Sequence, residues 1–306
     1  MVLEHLFPED WLEHKGRYAF LLGAMYSIIA VLIAAWLFPT DPALVAVAFT
    51  SLFLLPELYK IFSIEERKES MEQNISLKAL WRDDIELVRI YVFLFLGIIL
   101  VYSVGAIFLP NMQTNSLFRE QLEIRFQDNL PTGELQIGQG ELTSNFFADK
   151  FTWSWNLFFS LLQNNFLVLM ACFMMALLTG DGAIFLISWN ASVWGTIFGI
   201  TAKGAASVIG GNPLVMFGLI LLVVFPHMML EGLSYFLAAI SGSVISKDVI
   251  LEKFSSDRFF EVFGFNLYLL LFALLFLVLG AGVEAWVLDN VDLYREIITL
   301  SIRAFA

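Results

Sequence analysis

A chain of 306 residues that is 59% hydrophobic and only 15% charged lies outside the range of soluble domains, where about a quarter of residues are charged. Its net charge of −12, from 17 Lys and Arg against 29 Asp and Glu, argues against nucleic acid as a partner, since that needs a basic patch. The single cysteine, Cys172, lies in an apolar run, which excludes an intrachain disulfide and a cysteine-based zinc site.

Residues 1–17 mix Leu3, Leu6, Phe7, Trp11 and Leu12 with charges, as a short amphipathic helix on a membrane surface would. Acidic Glu4, Glu9, Asp10 and Glu13 and the lack of a small-residue cleavage pattern argue against a cleaved signal peptide. The first apolar run, Tyr18–Phe38, is therefore read as a retained span. Pro39-Thr40-Asp41-Pro42 is a tight turn, and a second span runs from Ala43 to Phe62. Residues 63–86 are rich in charge and read as a solvated, partly helical loop. The third span is Leu87–Leu109, ended by Pro110.

Residues 110–155 form the largest segment outside the spans. Phe118, Leu122 and Phe126 recur every four residues, which predicts a short amphipathic helix. Pro131-Thr132-Gly133 reads as a turn, and the stretch around Gly138 and Gly140 as a small hairpin. Trp153 and Trp155 mark re-entry at the membrane interface.

The fourth span is Asn156–Leu178, the turn Thr179-Gly180-Asp181-Gly182 comes next, and the fifth span is Ala183–Thr201. From 203 to 245 the pattern is irregular. Lys203-Gly204-Ala205-Ala206 and Gly210-Gly211-Asn212-Pro213 bracket a short segment, and Pro226 divides the apolar run beyond them. The stretch Leu214–Phe225 is too short to cross alone, since a span needs roughly 20 residues. This region is expected to be a re-entrant or kinked element, which at membrane depth must be buried in protein or line a cavity. Phe260–Leu288 is the last span, and a polar tail closes the sequence.

The expected architecture is an all-α, polytopic transmembrane helical bundle of six to seven spans with one broken or re-entrant element. It divides into an N-terminal three-span part (1–109) with a cytoplasmic loop at 63–86, an extracytoplasmic loop at 110–155, and a membrane core with a C-terminal tail (156–306). With the N-terminus cytoplasmic and the 203–245 element crossing once, eleven of the 17 basic residues face inward. That orientation follows the positive-inside rule, most strongly through the short 60–89 segment. A cell-membrane location is expected.

Polar groups at membrane depth are costly, so each asks for a reason. Asn164 and Asn165 lie in the fourth span and Asn190 in the fifth. His227 and Glu231 are four apart and share one helix face. Glu284 lies near the end of the last span, and Glu57 follows Pro56 near the end of the second. Three readings stand. The groups are interhelical hydrogen-bonding glue. Alternatively, Glu231, His227 and Glu284 form an ion or proton path. The third reading is a divalent metal held by the same three residues, an unusual set for zinc with only one imidazole. There is no Walker-type glycine loop, no dinucleotide fingerprint and no Ser–His–Asp spacing, so no cofactor is expected.

The order of these residues resembles the stage II sporulation protein M family over about 150–290. Phe158-Phe159-Ser160-Leu161-Leu162-Gln163-Asn164-Asn165-Phe166 is similar to its paired-Asn segment, and Thr179-Gly180-Asp181-Gly182 to its glycine-rich turn. Asn190-Ala191 stands where the family has Asn-Gly. Pro226-His227-Met228-Met229-Leu230-Glu231 is similar to its Pro-His-Gly-x-x-Glu helix, with Met228 in place of the glycine. Val283-Glu284-Ala285 fits its Ile-Glu-Ala segment. The resemblance implies a multi-pass membrane protein without an established enzymatic activity. The family's named member looks like a scaffold that assembles with partners remodelling the cell wall during engulfment.

The sequence therefore leads first to a membrane scaffold or accessory subunit of an envelope complex, with 110–155 as the partner surface and homo-oligomerisation open. The second reading is a transporter or channel component with its path through Glu231, His227 and Glu284. The third is an intramembrane metal-dependent enzyme.

Overall fold

The computed structural model describes residues 16–71, 77–127, 151–251 and 257–305, with side chains for 16–61, 85–124, 151–246 and 260–304. The expectations for residues 1–15, for the turn at 131–133 and for the hairpin near 138–140 lie outside the described residues. Those residues form ten helices and no strand. They are α1 (Gly16–Leu37), α2 (Pro42–Met71), α3 (Leu77–Phe108), α4 (Asn111–Leu117), α5 (Arg119–Gln127), α6 (Trp155–Thr179), α7 (Ala183–Ile209), α8 (Pro213–Leu251), α9 (Asp257–Asn290) and α10 (Asp292–Phe305).

Seven of them, α1–α3 and α6–α9, carry stretches long and apolar enough to cross a membrane. The protein is a polytopic, multi-pass helical bundle. Because consecutive spans alternate in direction, the chain enters α1 and leaves α9 on opposite sides. We call the two ends of the bundle the Asn290 end and the Asp181 end.

Within the charged 63–86 segment the expected helix is present on both sides: α2 runs on to Met71 and α3 begins at Leu77. One expectation changes: 203–245 is neither broken nor re-entrant. Lys203–Ala206 belong to α7, which ends at Gly210 in the left-handed conformation (φ 67°). One continuous helix, α8, then runs through Pro226. Proline removes a single backbone hydrogen bond, and in a packed membrane bundle that loss is tolerated. The apolar stretch of α8, Pro213–Ser246, spans 34 residues, roughly 51 Å of helix against about 30 Å of hydrocarbon. The excess is accommodated because every residue from Ser234 to Ser243 is buried in protein. A helix that is apolar all round belongs at the centre of a bundle. There α8 packs against α3, α6, α7 and α9.

Close approaches fix the registers. A Cβ on Gly195 would lie 2.6 Å from Ile99 O, and one on Gly199 2.6 Å from Ser103 O, so α3 and α7 run parallel and in contact. Ser103 Oγ donates to Gly195 O across this seam at 3.0 Å. Similarly, Gly242 of α8 abuts Phe173 O of α6. At the Asn290 end, Lys203 Nζ donates to Leu109 O at 2.5 Å, a cation on the exposed carbonyls at the C-terminus of α3. Asn290 and Asp289 hold Thr152 and Ser154 at the entry to α6 through backbone hydrogen bonds of 2.8–2.9 Å.

The short helix expected around 118–126 is α5, Arg119–Gln127. Phe118, just before it, and Leu122 are buried, and Phe118 packs on the ring of Tyr102. Gln121 is fully buried and donates to Ser192 of α7 at 3.2 Å. Arg119 faces outward to Asp41 and Glu120.

Candidate functional site in the membrane interior

The site is built from two antiparallel helices, α8 and α9. Helical periodicity puts His227, Glu231 and Tyr235 on one face of α8, four residues apart. The same rule puts Gly280 and Glu284 on one face of α9. The two faces meet. A Cβ on Gly280 would lie 2.9 Å from Glu231 Cγ and 3.3 Å from Glu231 N, so the absent side chain is the seat in which Glu231 lies.

From this seat the Glu231 carboxyl group lies within electrostatic reach of Glu284, one turn beyond Gly280 on α9. Glu231 is 3% exposed and His227 6%. Glu231 is roughly 27 Å of helix from Pro213 and roughly 22 Å from Ser246, so it lies within the hydrocarbon layer. Among the described residues, neither His227 Nδ1 nor Glu231 Oε1 has a hydrogen-bond partner. The Glu231 backbone carbonyl accepts from Ser234 Oγ at 2.6 Å. Tyr235, buried one turn further along α8, lies within electrostatic reach of both carboxyl groups.

The other candidates divide. Asn165 is buried. Extending the α6–α8 register eleven residues from the contact between Ala176 and Gly242 sets Asn165 level with Glu231. Asn164, its neighbour, faces outward from the bundle and donates Nδ2 to Asn165 Oδ1 at 3.4 Å. Asn190 is not part of the cluster through any described bond: its Nδ2 returns to Leu186 O of its own helix at 2.8 Å. Glu57, buried in α2, makes an ion pair with Lys60 at 3.9 Å.

Among the described residues, no group of three or more His, Cys, Asp and Glu side chains is arranged to hold a metal ion. His227, Glu231 and Glu284 thus form a carboxyl pair with a neighbouring imidazole rather than a ligand triad. Two residues outside the sequence-based candidates complete the site. Tyr235 is legible in the sequence, since it continues the four-residue spacing of His227 and Glu231. Gly280 is not, since only the α8–α9 register reveals its role.

No protein-family model, no curated protein and no solved structure matches this chain.

Proposed function

We propose that the protein is a proton-handling component of a membrane transport system, with the Glu231–Glu284 pair as the group that takes up and releases the proton. The carboxyl pair formed where the Glu231 face of α8 seats on the Gly280–Glu284 face of α9 carries this reading. Ionisable groups at this depth are expensive, and they serve relays because their charge can change. Packing glue would need only one amide or hydroxyl. Two neighbouring carboxyl groups form a site that can hold a proton and give it up. His227 and Tyr235, one turn to either side on α8, continue the column of exchangeable groups. The N-terminus is taken as cytoplasmic and the location as the cell membrane, on the distribution of basic residues.

The test is proton flux in proteoliposomes loaded with a pH-sensitive dye. The wild-type protein should dissipate an imposed pH gradient faster than protein-free vesicles. Glu231→Gln and Glu284→Gln, which keep shape and hydrogen bonding, should each reduce that flux at least about tenfold, the scale of losing a proton-transfer group. A flux that survives Glu231→Gln sinks the proposal, as does a wild-type flux equal to that of empty vesicles.

One observation favours a second reading, a scaffold or accessory subunit of an envelope complex. The α4–α5 pair is anchored on the bundle by Phe118 and Gln121, while Arg119 and Glu123 point away from it. This anchored, charged face, with the rest of the 110–155 segment, would be the partner surface. The resemblance of the 150–290 motifs to the stage II sporulation protein M family supports the same reading.

A further inference from the structure

The least buried spans include α6, with only 22% of its apolar window covered by the rest of the bundle. Its uncovered face is mixed: Phe166, Leu167 and Leu178 are exposed as on a lipid-facing helix, but a polar stripe runs beside them. Asn156, Ser160, Gln163 and Asn164 are all exposed, and their spacing aligns them in one stripe. On other spans the outward side chains named as exposed are apolar, as at Leu32 of α1 and Leu271 of α9. Asn164 is about 14 Å of helix from Trp155 and about 22 Å from Thr179, deep in the hydrocarbon. Lipid offers amide groups no hydrogen-bond partner, so amides facing it at this depth are costly. Among the described residues, the one side-chain hydrogen bond within this stripe is that from Asn164 to Asn165. Beside the stripe runs a groove of about 360 Å³ between Phe159, Gln163 and Phe166 of α6 and Leu274 and Val278 of α9.

We propose that this face of α6 is the interface between two copies of the chain, packed about a two-fold axis along the membrane normal. The chemistry of the stripe selects a second copy. Asn, Gln and Ser side chains each carry both donor and acceptor, so the stripe is complementary to itself. A two-fold interface places the same patch on both sides, and that self-complementarity is what it needs. A charged stripe would repel its copy; this one is uncharged. The groove then receives an apolar side chain from the opposite α6. The proposal does not rest on the proton-handling reading.

The test uses the full chain with its single cysteine removed (Cys172→Ala) and new cysteines placed one at a time. Ser160→Cys, Asn164→Cys and Leu167→Cys, all on this exposed face, should cross-link two copies in native membranes. Leu32→Cys and Leu271→Cys, exposed elsewhere, should not. In proteoliposomes of increasing lipid dilution, single-molecule photobleaching should count two chains. The double variant Gln163→Leu/Asn164→Leu should weaken association by on the order of tenfold to a hundredfold, the loss of a few interhelical hydrogen bonds. Size-exclusion profiles check that each variant is folded. The proposal is overturned if stripe and control positions cross-link alike, or if the leucine variant dimerises as tightly as the parent. It is equally overturned if the purified chain is monomeric at every dilution, even where the stripe cross-links to a different protein in cells.

Discussion

The seat at Gly280 makes a prediction whose sign depends on its neighbour. In Gly280→Ala the new Cβ would lie 2.9 Å from Glu231 Cγ, about half an ångström inside ordinary contact, with Leu230 Cβ and Glu231 N at 3.3 Å. Cγ is in the middle of the side chain and near its root, so it cannot swing clear without moving the whole carboxyl group. Overpacking of this kind costs about 1–3 kcal/mol. Against it stands the helix preference for Ala over Gly, about 1 kcal/mol. The net expectation is a loss of up to about 2 kcal/mol with Glu231 in place. In a Glu231→Ala background the atom responsible is gone, and Gly280→Ala should become neutral or stabilising by up to about 1 kcal/mol. The four proteins of this cycle would be compared by equilibrium unfolding in mixed micelles, followed by tryptophan fluorescence. The coupling is the quantity of interest, since it isolates the contact from the separate costs of each change. If Gly280→Ala has the same sign and size in both backgrounds, Glu231 does not lie in that seat and the α8–α9 register is wrong.

Two further expectations concern the helices around the site. Asn190→Leu should change stability by less than about 0.5 kcal/mol in the same unfolding assay, because among the described residues its amide bonds within its own helix, to Leu186 O. Gly199→Val should destabilise by about 1–3 kcal/mol, since its branches would be driven into Ser103 O and Ala106 Cβ; a neutral result would deny the α3–α7 contact.

The spans were legible because hydropathy is a property of runs, and several runs here are separated by a turn with its own signature, as at Pro39–Pro42 and Thr179–Gly182. The continuity of α8 was not legible for a physical reason. Pro226 and the short Leu214–Phe225 stretch carry the marks of a break only if the helix must stand alone in lipid. With Ser234–Ser243 enclosed by protein on all sides, the helix is free to be longer than the bilayer is thick. The site divides along the same line. His227 and Glu231 could be placed on one face from their spacing, which depends on one helix only. That Glu284 meets Glu231, while Asn190 turns back on its own helix, depends on the registers between helices, which glycines at 195, 199, 242 and 280 set by how closely they let backbones approach. The paired asparagines show how little separates the two kinds of role. Successive residues on a helix point about 100° apart. That rotation buries Asn165 at the level of the carboxyl pair and turns Asn164 out of the bundle. One local sequence thus faces two different environments, and any functional account of the pair has to treat its two amides separately.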